Sequence, residues 1–295
     1  MSWIYLVLVA QIINAGVFLT DKYLVGPHAK IRPLAYTFYV GIMSAVVVWT
    51  LPFGVVGWPT PMILLLSLAT GVTYVASLLL LYRALQMAEV SDVAPVMGAV
   101  SALSTLFFSG IILREHLTEN FMFGFALLVL GTGLMSYFRF KKHSLLNVLG
   151  AGALFGLSSV LIKLIFSQTE FWNGFFWSRM ANVLIVLCFL LWPAWYKAIR
   201  GNFKNSPHHT KVLVVGNKVF AGLAFLLILA AINLGEVAVV NALGGLQFVI
   251  LIIAALIFHR QFPLYFSESV HLKNALLQKV VATALIVFGY FILFL

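Results

Sequence analysis

Long apolar runs separated by short polar segments make up most of the chain. A helix that crosses a membrane needs about 20 apolar residues, and runs of that length recur between glycine, proline and charged positions. The pattern therefore predicts ten transmembrane helices. We expect them at residues 2–20, 34–57, 62–82, 92–113, 120–138, 145–167, 171–195, 211–233, 236–258 and 277–295.

The segments between these runs differ in length and polarity. Only four residues, 233–236, separate the eighth and ninth spans, which predicts a tight hairpin, and a similar hairpin joins the third and fourth spans. Residues 196–210 are polar and predict an aqueous loop. Residues 259–276, which contain Pro263, form the longest connection and fit a loop or a short interfacial helix.

The two hairpins resemble each other in sequence. Residues 81–98 align with residues 228–245 at an offset of 147, and residues 15–22 align more weakly with residues 156–163. Two halves, 1–143 and 144–295, would then hold five spans each. An odd number of spans forces the halves into opposite orientations, and such an inverted repeat is typical of alternating-access transporters. Chance similarity between apolar segments is the alternative.

Local motifs point to a known family. The hairpin that runs from Ala84-Leu85 to Glu89, and the segment Leu113–Thr118 with Arg114 in place of a glycine, resemble the EamA-type members of the drug/metabolite transporter superfamily. A first span that ends in Lys22 fits as well. The resemblance implies ten helices in two five-helix repeats. The second half departs from it, because residues 259–262 lack the carboxylate of the first-half motif.

Composition excludes several classes of protein. Of the 295 residues, 63% are hydrophobic and 9% are charged, so a soluble enzyme or a disordered chain could not result. The single cysteine, Cys188, can form neither an internal disulfide nor a thiolate metal site alone. Motifs of zinc proteases, serine hydrolases and phosphate-binding loops are missing from the sequence. We therefore expect neither an enzyme nor a cofactor.

The net charge of +10 predicts topology and contact with anionic lipids rather than nucleic acid. Fourteen of the 18 lysines and arginines follow odd-numbered spans. The positive-inside rule would place them in the cytoplasm and both termini outside, whereas the resemblance implies that both termini are inside. We expect a multi-pass protein of a bacterial inner membrane, monomeric, with a homodimer as the alternative.

Three cations lie within predicted spans, where charge is costly and suggests function. Arg179 is the deepest, and it fits either an anionic substrate group or a structural pairing with Glu170 or a backbone carbonyl. Lys163 and Lys218 would line a cavity or extend to the headgroups. Together they favour an anionic or zwitterionic solute. The carboxylates fall at span ends or in loops, so the sequence predicts no deep proton relay.

Polar and aromatic side chains within spans complete the candidate site. Each could contact a solute or instead link helices. Glu89 and Glu236 are predicted to cap the helices that follow them. The substrate-binding candidates are Asn14, Tyr74, Tyr82, Lys163, Trp177, Arg179, Asn217, Asn241 and Gln247.

These features predict a secondary active transporter. It would move a small polar metabolite, such as an amino acid or an organic anion, through a central cavity between the two repeats by alternating access. A membrane-embedded enzyme acting on a lipid-linked substrate, or a channel, are the alternatives.

Overall fold

The described part of the protein is helical. The computed structural model describes residues 2–25, 31–88, 90–115, 119–136, 142–247, 249–251 and 273–293, and its regular elements are all helices. The elements are α1 (Ser2–Val25), α2 (Pro33–Met43, continued by a 3-10 helix to Phe53), α3 (Pro61–Met87), α4 (Val90–Phe108, continued by a π turn to Leu113), α5 (Glu119–Leu134), α6 (Lys142–Gln168), α7 (Phe171–Cys188, with a 3-10 turn to Leu191), α8 (Pro193–Asn205), α9 (His208–Leu234), α10 (Val237–Ala242, followed by the 3-10 turn Leu243–Gly245) and α11 (Lys273–Leu293).

Most predicted spans are present as long apolar helices. Seven helices in the described ranges are long and apolar enough to cross a membrane, namely Trp3–Val25, Pro33–Phe53, Pro61–Met87, Asp92–Leu113, Lys142–Gln168, Phe171–Leu191 and His208–Leu234. Shorter apolar helices lie where the fifth, ninth and tenth spans were predicted: Phe121–Leu134, Val237–Leu251 and Val280–Gly289. The predicted connection at 259–276 lies mostly outside the described residues, and the total of ten spans stays a prediction.

The predicted aqueous loop at 196–210 is wrong for most of its length. Helix α8 covers Pro193–Asn205. Pro193 ends the preceding span and occupies the first turn of α8, where a proline needs no amide hydrogen bond. Ile199 is buried, whereas the cations Lys197 and Arg200 are exposed, so the segment is an amphipathic helix rather than a loop.

Small residues set the close helix contacts. A Cβ at Gly71 of α3 would lie 3.1 Å from the backbone carbon of Ala181 in α7, and a Cβ at Gly156 of α6 would lie 2.6 Å from the carbonyl oxygen of Ser101 in α4. Helix α6 also packs along α3, α1 packs along α9, and α5 packs along α11. Close backbone approach through glycine is the usual way in which helices associate in a membrane.

Candidate functional site

Arg179 lies in the middle of α7, buried between two aromatic rings. Its guanidinium carbon is 4.5 Å from the ring centre of Phe225 on α9 and 5.0 Å from that of Tyr74 on α3. The Tyr74 hydroxyl also interacts with the guanidinium. Stacking on ring faces stabilises the cation and leaves the N–H edges of the guanidinium for another partner.

Two nitrogens of the guanidinium lack a partner. Nε and Nη2 of Arg179 are buried without a hydrogen bond, and so are both polar atoms of the Asn182 side chain one turn further along α7. Ser67 and Thr70 on α3, near its close contact with α7, also have buried hydroxyls without partners. Each such group costs about 1–3 kcal/mol when left unsatisfied, so this group of side chains points to a ligand-binding region.

A second polar cluster surrounds Asp21 near the end of α1. Its Oδ1 accepts hydrogen bonds from the Tyr36 hydroxyl at 2.5 Å, from Asn217 Nδ2 at 2.6 Å and from the Lys218 ammonium at 2.6 Å. The Tyr82 hydroxyl interacts with the same carboxylate. Both members of the Asp21–Lys218 ion pair are buried. The "Asp21 hub" (Asp21, Tyr36, Tyr82, Asn217 and Lys218) thus joins α1, α2, α3 and α9.

Tyr74 connects the two clusters. Its hydroxyl is within electrostatic range of both Arg179 and Asp21, and the Tyr82 hydroxyl is within range of Tyr74. The predicted residues Tyr74, Tyr82, Arg179 and Asn217 therefore come together. Asp21 was not among the predicted site residues, because the first span was predicted to end at residue 20. The interiors of the predicted spans held the cations Lys163, Arg179 and Lys218 but no carboxylate, and this imbalance could have indicated that one of them pairs with a nearby carboxylate such as Asp21.

Lys163 has a role different from the predicted solute contact. Its ammonium donates to the carbonyl oxygens of Ile232, Asn233 and Gly235, at 2.8, 3.2 and 2.9 Å. All three donors of the ammonium are thus used at the C-terminal end of α9, where carbonyls lack helical partners. Lys163 thus caps a helix that comes about 70 residues later in the sequence, and its predicted solute contact stays a prediction.

Lys22 makes the same kind of contact elsewhere. Its ammonium donates to the carbonyl oxygens of Leu85 and Ala88, at 3.0 and 2.7 Å, at the C-terminal end of α3. Lys22 and Lys163 are paired in the internal sequence alignment, and so are the two helix ends that they cap.

Two carboxylates lie close to Lys163. Burial raises the pKa of Glu236 above its usual value, and the charge of Lys163 partly offsets the rise. Burial also raises the pKa of Glu115; Lys163 opposes this rise and Glu236 adds to it. Glu236 occupies the N-cap position of α10, but its side chain makes no capping hydrogen bond, so its predicted capping role is corrected. Glu89 lies outside the described residues.

The other predicted residues lie apart from the two clusters or have structural partners. Trp177 donates to the carbonyl of Gly57 at 3.0 Å and holds the segment before α3. Asn241 donates to the Thr105 hydroxyl at 2.7 Å and links α10 to α4. Asn14 pairs with Gln11 on its own helix at 3.4 Å, and Gln247 is buried beyond α10. Nothing in these contacts brings the four residues to Arg179.

Comparison with known proteins finds a family match for the first part of the chain. Residues 1–137 match the EamA-like transporter family. No curated protein matches the sequence. A solved structure, titled only as the crystal structure of a protein, aligns with a TM-score of 0.68 at 18% identity and covers 99% of this chain and 96% of that chain. At this identity the likeness concerns the fold alone.

Proposed function

We propose that the chain, whose residues 1–137 match the EamA-like transporter family, is a secondary transporter that carries a small organic anion or amino acid. It is a multi-pass membrane protein. The observation that carries the proposal is the buried Arg179 guanidinium with unpaired N–H groups.

The chemistry of Arg179 favours a carboxylate. A guanidinium presents its N–H groups in a fork that matches two carboxylate oxygens, and such charge-assisted bonds are about twice as strong as neutral ones. Among the described residues, Arg179 makes no ion pair with a carboxylate, and the buried ion pair there joins Lys218 to Asp21. A cation left unpaired in the membrane interior is costly, so a bound anion supplies the missing charge.

The charges around the site set the charge of the solute. The Asp21–Lys218 pair is neutral as a whole, and Arg179 adds one positive charge. A negatively charged solute reduces the excess positive charge of the region, whereas an organic cation would add to it. A zwitterionic amino acid would offer the same carboxylate with weaker overall attraction.

Two five-helix repeats of opposite orientation would provide the conformational change. The paired lysine caps of Lys22 and Lys163 support such repeats, because they join corresponding helices. The packing also differs between corresponding helix pairs: α3 packs closely along α7, but α2 and α9 make no comparable contact. Unequal packing of equivalent pairs is the arrangement that alternating access requires, with one side closed and the other open.

Uptake into proteoliposomes tests the proposal. The purified protein is reconstituted and offered radiolabelled lactate, gluconate, benzoate, L-glutamate, L-alanine and tetraphenylphosphonium. We expect saturable uptake and counterflow of at least one carboxylate and none of the cation. Arg179→Gln should reduce uptake at least tenfold, while the matched variant Arg83→Gln, at an exposed position of α3, should retain it.

The outcomes separate the alternatives. Flux that rises linearly with concentration and shows no counterflow would indicate a channel. Uptake unchanged in Arg179→Gln would remove Arg179 from the site. A bacterial inner membrane and a monomer are the expected setting, and reporter fusions at both termini decide between the orientation from charge and that from the family resemblance.

A further inference from the structure

The Asp21 hub carries an inference about energy coupling that rests on the proposed function. We propose that Asp21 binds the coupling proton: when the transported anion engages Lys218, Asp21 takes up one proton, and the proton and the anion cross the membrane together. The chemistry is a change of partner. The anion takes the place of the Asp21 carboxylate beside the Lys218 ammonium, and the carboxylate plus a proton gives a carboxylic acid.

The hub is built as a shared site. One oxygen of Asp21 accepts three hydrogen bonds from two other helices, and Lys218 also lies 4.8 Å from the ring centre of Tyr36 and 5.8 Å from that of Tyr82. A buried ion pair is costly to break on one side only, because the remaining charge stays in a medium of low polarity. An anion that draws Lys218 away therefore leaves the buried Asp21 carboxylate without its counter-charge, and a proton on that carboxylate restores neutrality.

Tyr74, which stacks on Arg179, and the hub residue Tyr82 lie about two turns apart on α3. A carboxylate on Arg179 would lie next to Tyr74, whose hydroxyl is within range of both Arg179 and Asp21. The groups that face Asp21 are Tyr36 from α2, Tyr82 and Tyr74 from α3, and Asn217 with Lys218 from α9. On α1 itself, the neighbouring Lys22 donates to carbonyls of α3. Lys218 is thus the cation paired with Asp21 in the described structure.

Two transport modes test the coupling. Counterflow at equal pH needs no net proton movement, whereas accumulation driven by a pH gradient does. For one proton and one monoanion, each pH unit should give about tenfold accumulation, because one pH unit corresponds to about 1.36 kcal/mol. The probe is the carboxylate of the panel above that the protein takes up, with protein-free liposomes as the control for passive entry of the acid.

Asp21→Asn imitates the protonated carboxyl and cannot release a proton. We expect accumulation driven by the gradient to be lost, and any counterflow that remains to be the same at every pH tested. The matched control is Asp92→Asn, a buried aspartate on α4 that accepts a hydrogen bond from the Ser136 hydroxyl, and it should keep the tenfold accumulation.

A second measurement needs no variant. Calorimetric titration of the same carboxylate in buffers of different ionisation enthalpy counts protons, and we expect about one taken up per anion bound. Counterflow without any response to the gradient, or binding without proton uptake, would overturn the coupling and leave the proposed function intact. Absence of counterflow in the unmodified protein would instead contradict the proposed function itself.

Discussion

Replacing Lys163 by methionine separates helix capping from solute binding. The change keeps most of the aliphatic length of the side chain and removes the ammonium that donates to three carbonyls at the end of α9. If Lys163 caps a helix, the variant should lose stability and keep its affinity for the transported solute. A solute-binding lysine would show the opposite result.

The size of the loss follows from the contacts. A hydrogen bond to a charged group contributes about 1.5–3 kcal/mol when well buried, but Lys163 is only half-buried and solvent weakens such contacts. Taking roughly 0.7 kcal/mol for each of the three bonds gives a total loss of about 2 kcal/mol. For a large domain this corresponds to a fall in melting temperature on the order of 5 °C.

Tryptophan fluorescence during heating in detergent measures the melting temperature. The matched control is Lys142→Met, an exposed lysine at the start of the same helix, which should shift the melting temperature by less than about 1 °C because surface substitutions have small effects. A melting temperature unchanged in Lys163→Met, together with a tenfold weaker solute affinity, would refute the capping role.

Three further predictions follow from single contacts. Gly71→Leu should lower the melting temperature, because overpacking against the backbone of α7 costs about 1–3 kcal/mol of stability. Gly16→Leu, whose side chain meets open space, should leave the melting temperature unchanged. Trp177→Phe removes only the hydrogen bond to the segment before α3. Because this bond is structural, solute affinity should stay within about twofold, and the stability lost should be about 1 kcal/mol or less. Burial raises the pKa of Glu236 in the folded protein, so its ionisation destabilises the fold as pH rises through that raised pKa. Glu236→Gln should therefore raise the melting temperature at pH 7.5 and lose this advantage below about pH 4.5. The rise should exceed that of the control Glu170→Gln, at an exposed position.

The sequence pattern predicted the elements better than their partners. Apolar runs locate most helices to within a few residues, because a span must bury its backbone polar groups in its own hydrogen bonds. Arg179 was identified for the same reason, since a charge deep in an apolar run needs an explanation. Helix α8 was missed because most of its positions are polar or exposed, and Ile199, which is buried, does not by itself form a visible helical pattern.

Partners across the fold could not be predicted from such patterns. Lys163 binds backbone carbonyls about 70 positions away. Every residue has such a carbonyl, so the sequence does not mark which ones Lys163 binds. Asp21 was assigned to a loop, since an aspartate ends an apolar run unless a partner is known, and its partner Lys218 follows 197 residues later. Only the packing of α1 against α9 brings these two residues together.

The polar contacts differ in which parts of the chain they join, and this difference indicates what must change during transport. The Lys22 contact joins α1 to α3, both within residues 1–143, and the Lys163 contact joins α6 to α9, both within residues 144–295. Rocking of the two proposed halves would leave both contacts intact. The Asp21–Lys218 pair instead joins α1 to α9 across the halves, so relative motion of the halves would strain this pair. A buried ion pair at that position holds the halves together until an anion replaces Asp21 beside Lys218 and a proton replaces Lys218 at Asp21. Coupling follows because either ion alone would leave one of the two charges buried without a partner.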